Sequence, residues 1–104
     1  MAVTHAHEPE LSERRERLVT IFSALSDPTR VEMLELIIRR GEVGCAEFDV
    51  RFPLSKSTIS HHTKILKAAG LIETRREGRF FFYRPLLERL EENLPGLVER
   101  LTSD

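Results

Sequence analysis

Between positions 56 and 64 the sequence groups compact polar residues with two lysines, a combination suited to contacts with DNA. A major groove admits one helix, and its base edges are read by short or bidentate polar side chains. Lysines that flank such side chains hold phosphates, which fix the position of a protein on DNA without reading its sequence. The segment therefore predicts a DNA contact surface that comprises Lys56, Ser57, Thr58, Ser60, His61 and Lys64.

The distribution of charge supports this prediction, although the formal net charge of the 104-residue chain is only −1. Residues 55–84 carry seven basic side chains against two acidic ones, a net charge of +5, whereas the segments before and after them are net acidic. A basic middle between acidic ends is typical of one face directed at a polyanion. Arg76 and Arg79, at the tip of a predicted hairpin, extend the surface towards the DNA backbone or a neighbouring minor groove.

Other interpretations of the same residues remain open at this point. A polar helix face is often simply solvated, and the segment alone would not decide between solvent and DNA. The positive charge, the order of the helices and the arginine-bearing hairpin together favour DNA. A winged-helix module that binds another protein is a further alternative, although such a module has little need for a hairpin with four arginines.

The elements that must position these residues begin with two helices. After a flexible polar tail over residues 1–10, Ser12 is a predicted N-cap for the first helix. Asp27 is suited to cap a second helix, and Pro28 to open it, because the first helical position needs no amide donor. Gly41 is a suitable residue to end that helix.

Two further helices form the predicted helix-turn-helix. Residues 45–50 allow a short third helix, which cannot continue past Pro53 because the residue before a proline avoids helical geometry. Ser55 then caps a fourth helix that runs to about Ala69 and is closed by a glycine. On this helix His62 is predicted to be buried and not to read bases, because it falls on the apolar side.

A hairpin and a last helix complete the chain. Residues 71–75 and 80–84 are rich in β-branched and aromatic residues and flank a tight turn over 76–79. Pro85 ends the second strand and begins a helix whose leucines recur at spacings of three and four. Pro95–Gly96 should break or kink that helix near its middle.

The predicted fold is therefore mainly α with a small β-hairpin, a winged helix-turn-helix domain over residues 11–104. Four motifs follow one another in its sequence: residues 24–30 (ALSDPTR), 54–62 (LSKSTISHH), 69–72 (AGLI) and 75–79 (RREGR). In their order, and over about residues 11–101, the sequence resembles the ArsR/SmtB family of winged-helix repressors. The resemblance implies a homodimer with the first and last helices at the interface and one recognition helix per subunit. It also implies that the protein binds an approximately two-fold symmetric operator and that an effector releases it from this DNA.

The apolar residues of the outer helices predict a dimer interface independently of the resemblance. The leucine stripe of the last helix presents more apolar surface than so small a domain readily buries. The alternative is that this helix folds back onto its own core, and both can hold for different residues of the stripe. The predicted interface consists of Leu18, Phe22, Leu87, Leu90, Leu94, Leu97 and Leu101.

The sequence identifies no effector and predicts neither a metal nor a cofactor. Metal-sensing members of the family carry a Cys-x-Cys pair in the third helix or Asp, His and Glu pairs in the last. Here Gly44 and Ala46 occupy the two cysteine positions around Cys45, and the last helix has no histidine. A metal-responsive sensor that uses His5 and His7 is the alternative. Cys45 is either a small packed residue or a redox switch.

Several function classes are excluded by what the sequence lacks. It has no paired carboxylates of catalytic type and no glycine-rich phosphate loop, so an enzyme is not expected. Its single cysteine excludes an intramolecular disulfide framework. No apolar run approaches the length of a membrane span, and the first twenty residues contain no apolar signal segment. The expected location is the cytoplasm.

Overall fold

The computed structural model describes residues 8–104, which form six helices and a three-stranded antiparallel sheet. This arrangement confirms the predicted mainly α fold with a hairpin. In this part of the chain no helix combines the length and the apolarity needed to cross a membrane. The elements are α1 (Glu8–Ala24), α2 (Pro28–Arg40), β1 (Val43–Gly44), α3 (Cys45–Arg51), α4 (Lys56–Ala68), β2 (Ile72–Glu77), β3 (Phe80–Pro85), α5 (Leu87–Asn93) and α6 (Leu97–Thr102).

The helix caps predicted for α2 and α4 are confirmed. The carboxylate of Asp27 accepts the N–H of Arg30 at 3.0 Å, and this hydrogen bond is the main reason that the pKa of Asp27 is lowered. Gly41 ends α2 in the left-handed conformation, at φ +78°. At the start of α4 the hydroxyl of Ser55 accepts the N–H of Thr58 at 3.2 Å.

The start of α1 differs from the prediction. The helix begins at Glu8, so Ser12 lies inside it and is not its N-cap. Pro9 does not prevent the earlier start, because the N–H groups of a first helical turn have no intrahelical partner. Residues 1–7, which include His5 and His7, lie outside the described residues.

The hairpin is tighter than predicted and is joined by a third strand. Glu77 pairs with Phe80, which leaves a turn of only Gly78 and Arg79, with Gly78 at φ +62°. Strand β1 pairs with β3 through Val43 and Tyr83. Two residues are too few for a periodic pattern, so the sequence alone did not predict β1. This strand attaches the hairpin to the loop after α2.

The core lies between α2, α3, α4 and the inner face of the sheet. Phe48 of α3 is fully buried, and the centre of its ring lies 4.9 Å from the ring centres of both Phe52 and Tyr83. Thr63 of α4 is also buried, which the polarity of its side chain did not indicate. Its hydroxyl donates to the carbonyl of Ser60 at 3.2 Å, so burial leaves no unpaired donor.

The last helix is divided into α5 and α6, with Pro95–Gly96 between them, as the sequence predicted. Gly96 adopts φ +88°, and α6 then packs against α2. Leu90 of α5 is 1% exposed and belongs to the core. It therefore follows the alternative in which the last helix folds back onto its own domain, and its assignment to the dimer interface is corrected.

Candidate nucleic-acid interface

The side of α4 opposite the core is polar and solvent-exposed. Ile59, Thr63 and Leu66 hold the helix on the core at spacings of four and three residues. Of the remaining positions, Thr58, His62 and Ile65 are half-buried and the others face outwards, and no acidic residue occupies the first turn. The positive end of the helix is thus free to attract an anion. The predicted contact residues exposed on this side are Lys56, Ser57, Ser60, His61 and Lys64.

Thr58 stands apart from the other predicted contact residues. Its side chain is half-buried, and its hydroxyl oxygen accepts a hydrogen bond of 2.9 Å from the hydroxyl of Ser55. Its backbone N–H donates to the hydroxyl oxygen of Ser55. Thr58 therefore takes part in the N-cap of α4, and the exposed face is carried by the residues around it.

At the tip of the hairpin, Arg79 and Arg76 are both exposed but differ in their contacts. The guanidinium of Arg76 lies 5.1 Å from the centre of the Phe81 ring, and its Nε donates to the carbonyl of Gly78 at 3.0 Å. Arg79 makes neither a hydrogen bond nor an ion pair through its side chain with any residue from 8 to 104. Its charge is available to an external anion.

Two other arginines of the hairpin are occupied by carboxylates. Arg75 donates to both oxygens of Glu42 and to Glu77, each at 2.9 Å, and Arg84 lies 3.8 Å from Glu42. Hydrogen bonds from Arg75 lower the pKa of Glu42, and the same pairing raises the pKa of Arg75. Glu42 lies outside residues 55–84, so the local charge counted from the sequence exceeds the charge that is free to bind DNA.

The predicted dimer residues occupy different environments. Phe22 is 55% exposed and Leu87 is 47% exposed, whereas Leu18 is half-buried. Three leucines of the predicted stripe are partly buried against the core: Leu94, Leu97 and Leu101. Two further exposed apolar residues of α1, which the sequence analysis did not single out, are Leu11 and Val19.

One apolar stripe of α1 is largely exposed among the described residues. Leu11, Leu18 and Phe22 are spaced by seven and four residues, which places them on one side of the helix. Ile21 and Ala24, on a different side, are buried in the core. The described residues from 10 to 17 are all exposed, so α1 is attached to the domain mainly near its C-terminal end.

The surroundings of Cys45 do not form a metal site. Between residues 8 and 104 no group of three or more His, Cys, Asp or Glu side chains is arranged to hold a metal ion. Cys45 is half-buried beside Tyr83. Burial raises the pKa of Tyr83 to about 12, and the neighbouring Cys45 thiol is the next cause.

Comparisons with known proteins agree with this geometry. Residues 25–75 match a helix-turn-helix domain family. An uncharacterised helix-turn-helix transcriptional regulator of Methanocaldococcus jannaschii is 36% identical over 89 residues, which are 86% of this chain and 99% of that protein. The transcriptional repressor SdpR of Bacillus subtilis is 41% identical over 63 residues, which are 61% of this chain and 69% of that protein.

A solved structure also matches most of the chain. It is the solution structure of a homodimeric winged helix-turn-helix DNA-binding domain, Mb0332 from Mycobacterium bovis, a possible ArsR-family transcriptional regulator. The TM-score is 0.72 at 28% sequence identity, and the match covers 97% of this chain and 89% of that one. The similarity thus extends over both the helices and the hairpin.

Proposed function

Because this chain belongs to the ArsR family of winged helix-turn-helix transcriptional regulators, we propose that it is a homodimeric repressor that reads its operator with α4. The observation that carries the proposal is the exposed polar face of α4. Its hydroxyl and imidazole groups are free of the core, and two lysines flank them. This is the chemistry that recognition in a major groove requires.

Each residue of the surface has a distinct proposed role. Ser57, Ser60 and His61 contact base edges, because their side chains are short enough to let the helix approach the groove floor. Lys56 and Lys64 bind phosphates on either side. At the hairpin tip Arg79 binds the DNA backbone or the adjacent minor groove, because its guanidinium has no acidic partner among residues 8–104.

The dimer is proposed to form through α1 and the exposed start of α5. The apolar stripe of α1 and the side chain of Leu87 are the exposed apolar surfaces that continue the predicted interface. A two-fold axis through this contact presents two copies of α4 to half-sites about 34 Å apart, one turn of B-DNA. The operator is then approximately two-fold symmetric.

Release from DNA is proposed to follow from a change in this dimer geometry. An effector that alters the angle or separation of the two α4 helices lowers operator affinity, because the spacing of the half-sites is fixed. The bound and released states then differ in the relation between α1 and α4.

The proposal is tested by fluorescence anisotropy with DNA from upstream of the gene for this protein. A scrambled duplex of equal length is the competitor, and the titration is repeated at low and physiological salt. Tight binding that survives the competitor supports a specific regulator. Equal binding to both duplexes, lost equally as salt rises, would show only charge attraction and contradict the proposal.

A further inference from the structure

Arg30 connects the end of α1 to the recognition helix through one side chain. We infer that Arg30 is a positioning residue that fixes the orientation of α4 relative to α1. The inference rests on the proposed function, in which α1 forms the dimer and α4 reads DNA. It adds a residue that touches neither the DNA nor the partner subunit in that proposal.

One side of the guanidinium of Arg30 holds the last turn of α1. Its Nε donates to the carbonyl of Ala24 at 2.7 Å, and its Nη2 donates to the carbonyl of Ser23 at 3.3 Å. The carbonyl of Ser23 also accepts from the N–H and the hydroxyl of Ser26, whereas Arg30 supplies the hydrogen bond that the carbonyl of Ala24 would otherwise take from water. Together with the buried side chains of Ile21 and Ala24, the two hydrogen bonds from Arg30 fix the C-terminal end of α1 on the domain.

The other side of the guanidinium reaches α4. Its Nη1 lies 3.1 Å from Nδ1 of His62, which is half-buried. A guanidinium only donates hydrogen bonds, so Nδ1 must be the acceptor and the proton of the neutral ring is on Nε2. His62 lies directly between the proposed base-reading residue His61 and the buried Thr63. A displacement of His62 therefore moves the reading face.

Arg30 is itself held firmly at its backbone. The carboxylate of Asp27 accepts its N–H, which places Arg30 in the first turn of α2. The charged or titratable groups around the contact are the Asp27 carboxylate, the Arg30 guanidinium and His61, whose ring centre lies 5.8 Å from that of His62. Residues 23–30 thus end α1, begin α2 and, through Arg30, contact α4.

Such an arrangement can transmit a change in the dimer to the DNA-reading surface. The three helices meet at one side chain that hydrogen-bonds to two of them from the third, and coupling between sites is carried by contiguous contacts of this kind. A shift of α1 in the dimer moves the carbonyls that Arg30 holds. The guanidinium then either moves together with His62 or loses one of its hydrogen bonds to α1 or α4.

The test compares operator binding by variants on both sides of the contact. Arg30→Lys keeps the charge but cannot bond α1 and α4 together, and His62→Leu removes the acceptor. His62→Asn is the conservative variant, because its amide oxygen occupies nearly the place of Nδ1. Arg39→Gln is the matched control, since Arg39 also lies on α2 but bonds Glu35 and Asp104 at the surface.

We expect Arg30→Lys and His62→Leu each to weaken operator binding about tenfold, within the range of roughly 2- to 30-fold that is typical for residues through which two sites are coupled. A second operator, with one base pair inserted between its half-sites, tests the spacing. The two variants should discriminate less strongly than the wild-type protein between this DNA and the native operator. Affinity for the scrambled duplex should stay unchanged. His62→Asn and Arg39→Gln should behave as the wild-type protein does, and the double variant should be no weaker than either single variant.

Nitrogen NMR of the His62 ring supplies a readout that general destabilisation does not move. The wild-type protein should show the tautomer protonated at Nε2, and Arg30→Lys should show a mixture. If both variants kept the operator specificity of the wild-type protein and its preference for the native half-site spacing, this inference would be overturned, but the proposed function would not. Failure of the wild-type protein to prefer its operator would overturn the proposed function and this role with it.

Discussion

Glu42 accepts two hydrogen bonds of 2.9 Å from the guanidinium of Arg75, and this pair connects the two edges of the sheet. Glu42 directly precedes β1, whereas Arg75 lies on β2, with β3 between them. The guanidinium crosses β3 at 4.6 Å from the centre of the Phe82 ring. The outer face of the sheet is therefore fastened by a bidentate ion pair over an aromatic ring.

Acid should weaken this fastening in a predictable pH range. Because hydrogen bonds from Arg75 lower the pKa of Glu42 in the folded protein, the pair stabilises the fold above the ordinary value of 4.5. That contribution is lost as the pH falls from 4.5 through the lowered value. Glu42→Gln should therefore show a smaller loss of stability on acidification, measured by thermal melts across pH. Glu73→Gln, on the exposed part of β2, should keep the wild-type dependence.

The arginines of the hairpin should differ in their effect on DNA binding. Arg79→Ala should reduce the slope of log affinity against log salt concentration by about one unit, because a free phosphate contact is removed. Arg75→Ala should leave the slope nearly unchanged and lower the melting temperature, because Arg75 is already paired with carboxylates. Anisotropy titrations at several salt concentrations measure both slopes. Equal slopes for the two variants would contradict the assignment of Arg79.

Removal of the reading side chains should affect specificity more than affinity for DNA in general. Ser57→Ala combined with His61→Ala should reduce the preference for the operator over a scrambled duplex, since each good base contact contributes about 1–3 kcal/mol to discrimination. Ser103→Ala, an exposed serine distant in sequence, is the control. Circular dichroism should show the same fold for all three proteins. Unchanged operator preference in the double variant would show that α4 reads DNA with other residues.

Substitutions in the outer helices should distinguish residues needed for dimerisation from residues needed for folding. Phe22→Glu should convert the dimer to a monomer in sedimentation experiments, because it places a charge in the exposed stripe of α1. Val50→Glu changes an 86% exposed residue of α3 and should leave the dimer intact. By contrast, Leu90→Ala should lower the free energy of unfolding by about 2–5 kcal/mol, as for other buried leucines. A dimeric Phe22→Glu protein would exclude this stripe as the interface.

The single tyrosine provides a spectroscopic probe of the core. Burial raises the pKa of Tyr83 to about 12 from an ordinary 10.0. The neutral phenol therefore stabilises the fold below pH 10, and this contribution disappears as the pH rises through about 12. Ultraviolet titration of the phenolate measures the shift directly. Cys45→Ala should reduce the shift without abolishing it, since burial is its main cause, and a pKa at the ordinary value in the native wild-type protein would contradict the environment described.

Local signals in the sequence were sufficient to predict much of this architecture. The caps at Asp27 and Ser55 each depend on a side chain that accepts an N–H three residues later, so the neighbouring sequence determines them. The break at Pro95–Gly96 follows equally from local chemistry. The exposed face of α4 was predictable because its buried positions recur at helical spacing.

Contacts between distant segments were not predictable in the same way. Glu42 and Arg75 are 33 residues apart, and Arg30 and His62 are 32 apart, so no local pattern reports either pair. Strand β1 exists only because β3 provides its hydrogen-bonding edge. The leucine stripe of the last helix likewise has the same spacing whether a residue faces its own core, as Leu90 does, or a partner.

The anchoring of the hairpin by β1 has a consequence for how this domain can diversify. Its base is paired on one side with a strand that continues directly into α3, whereas its tip ends in two solvent-exposed residues. The hairpin is therefore held at its base, where it joins the helices, and is unconstrained at its tip. Changes in length or charge at Gly78 and Arg79 can alter its reach along DNA while α4 keeps its place. The reach of the hairpin tip and the base preference of α4 are consequently set by different residues, so that selection or design can change one without the other.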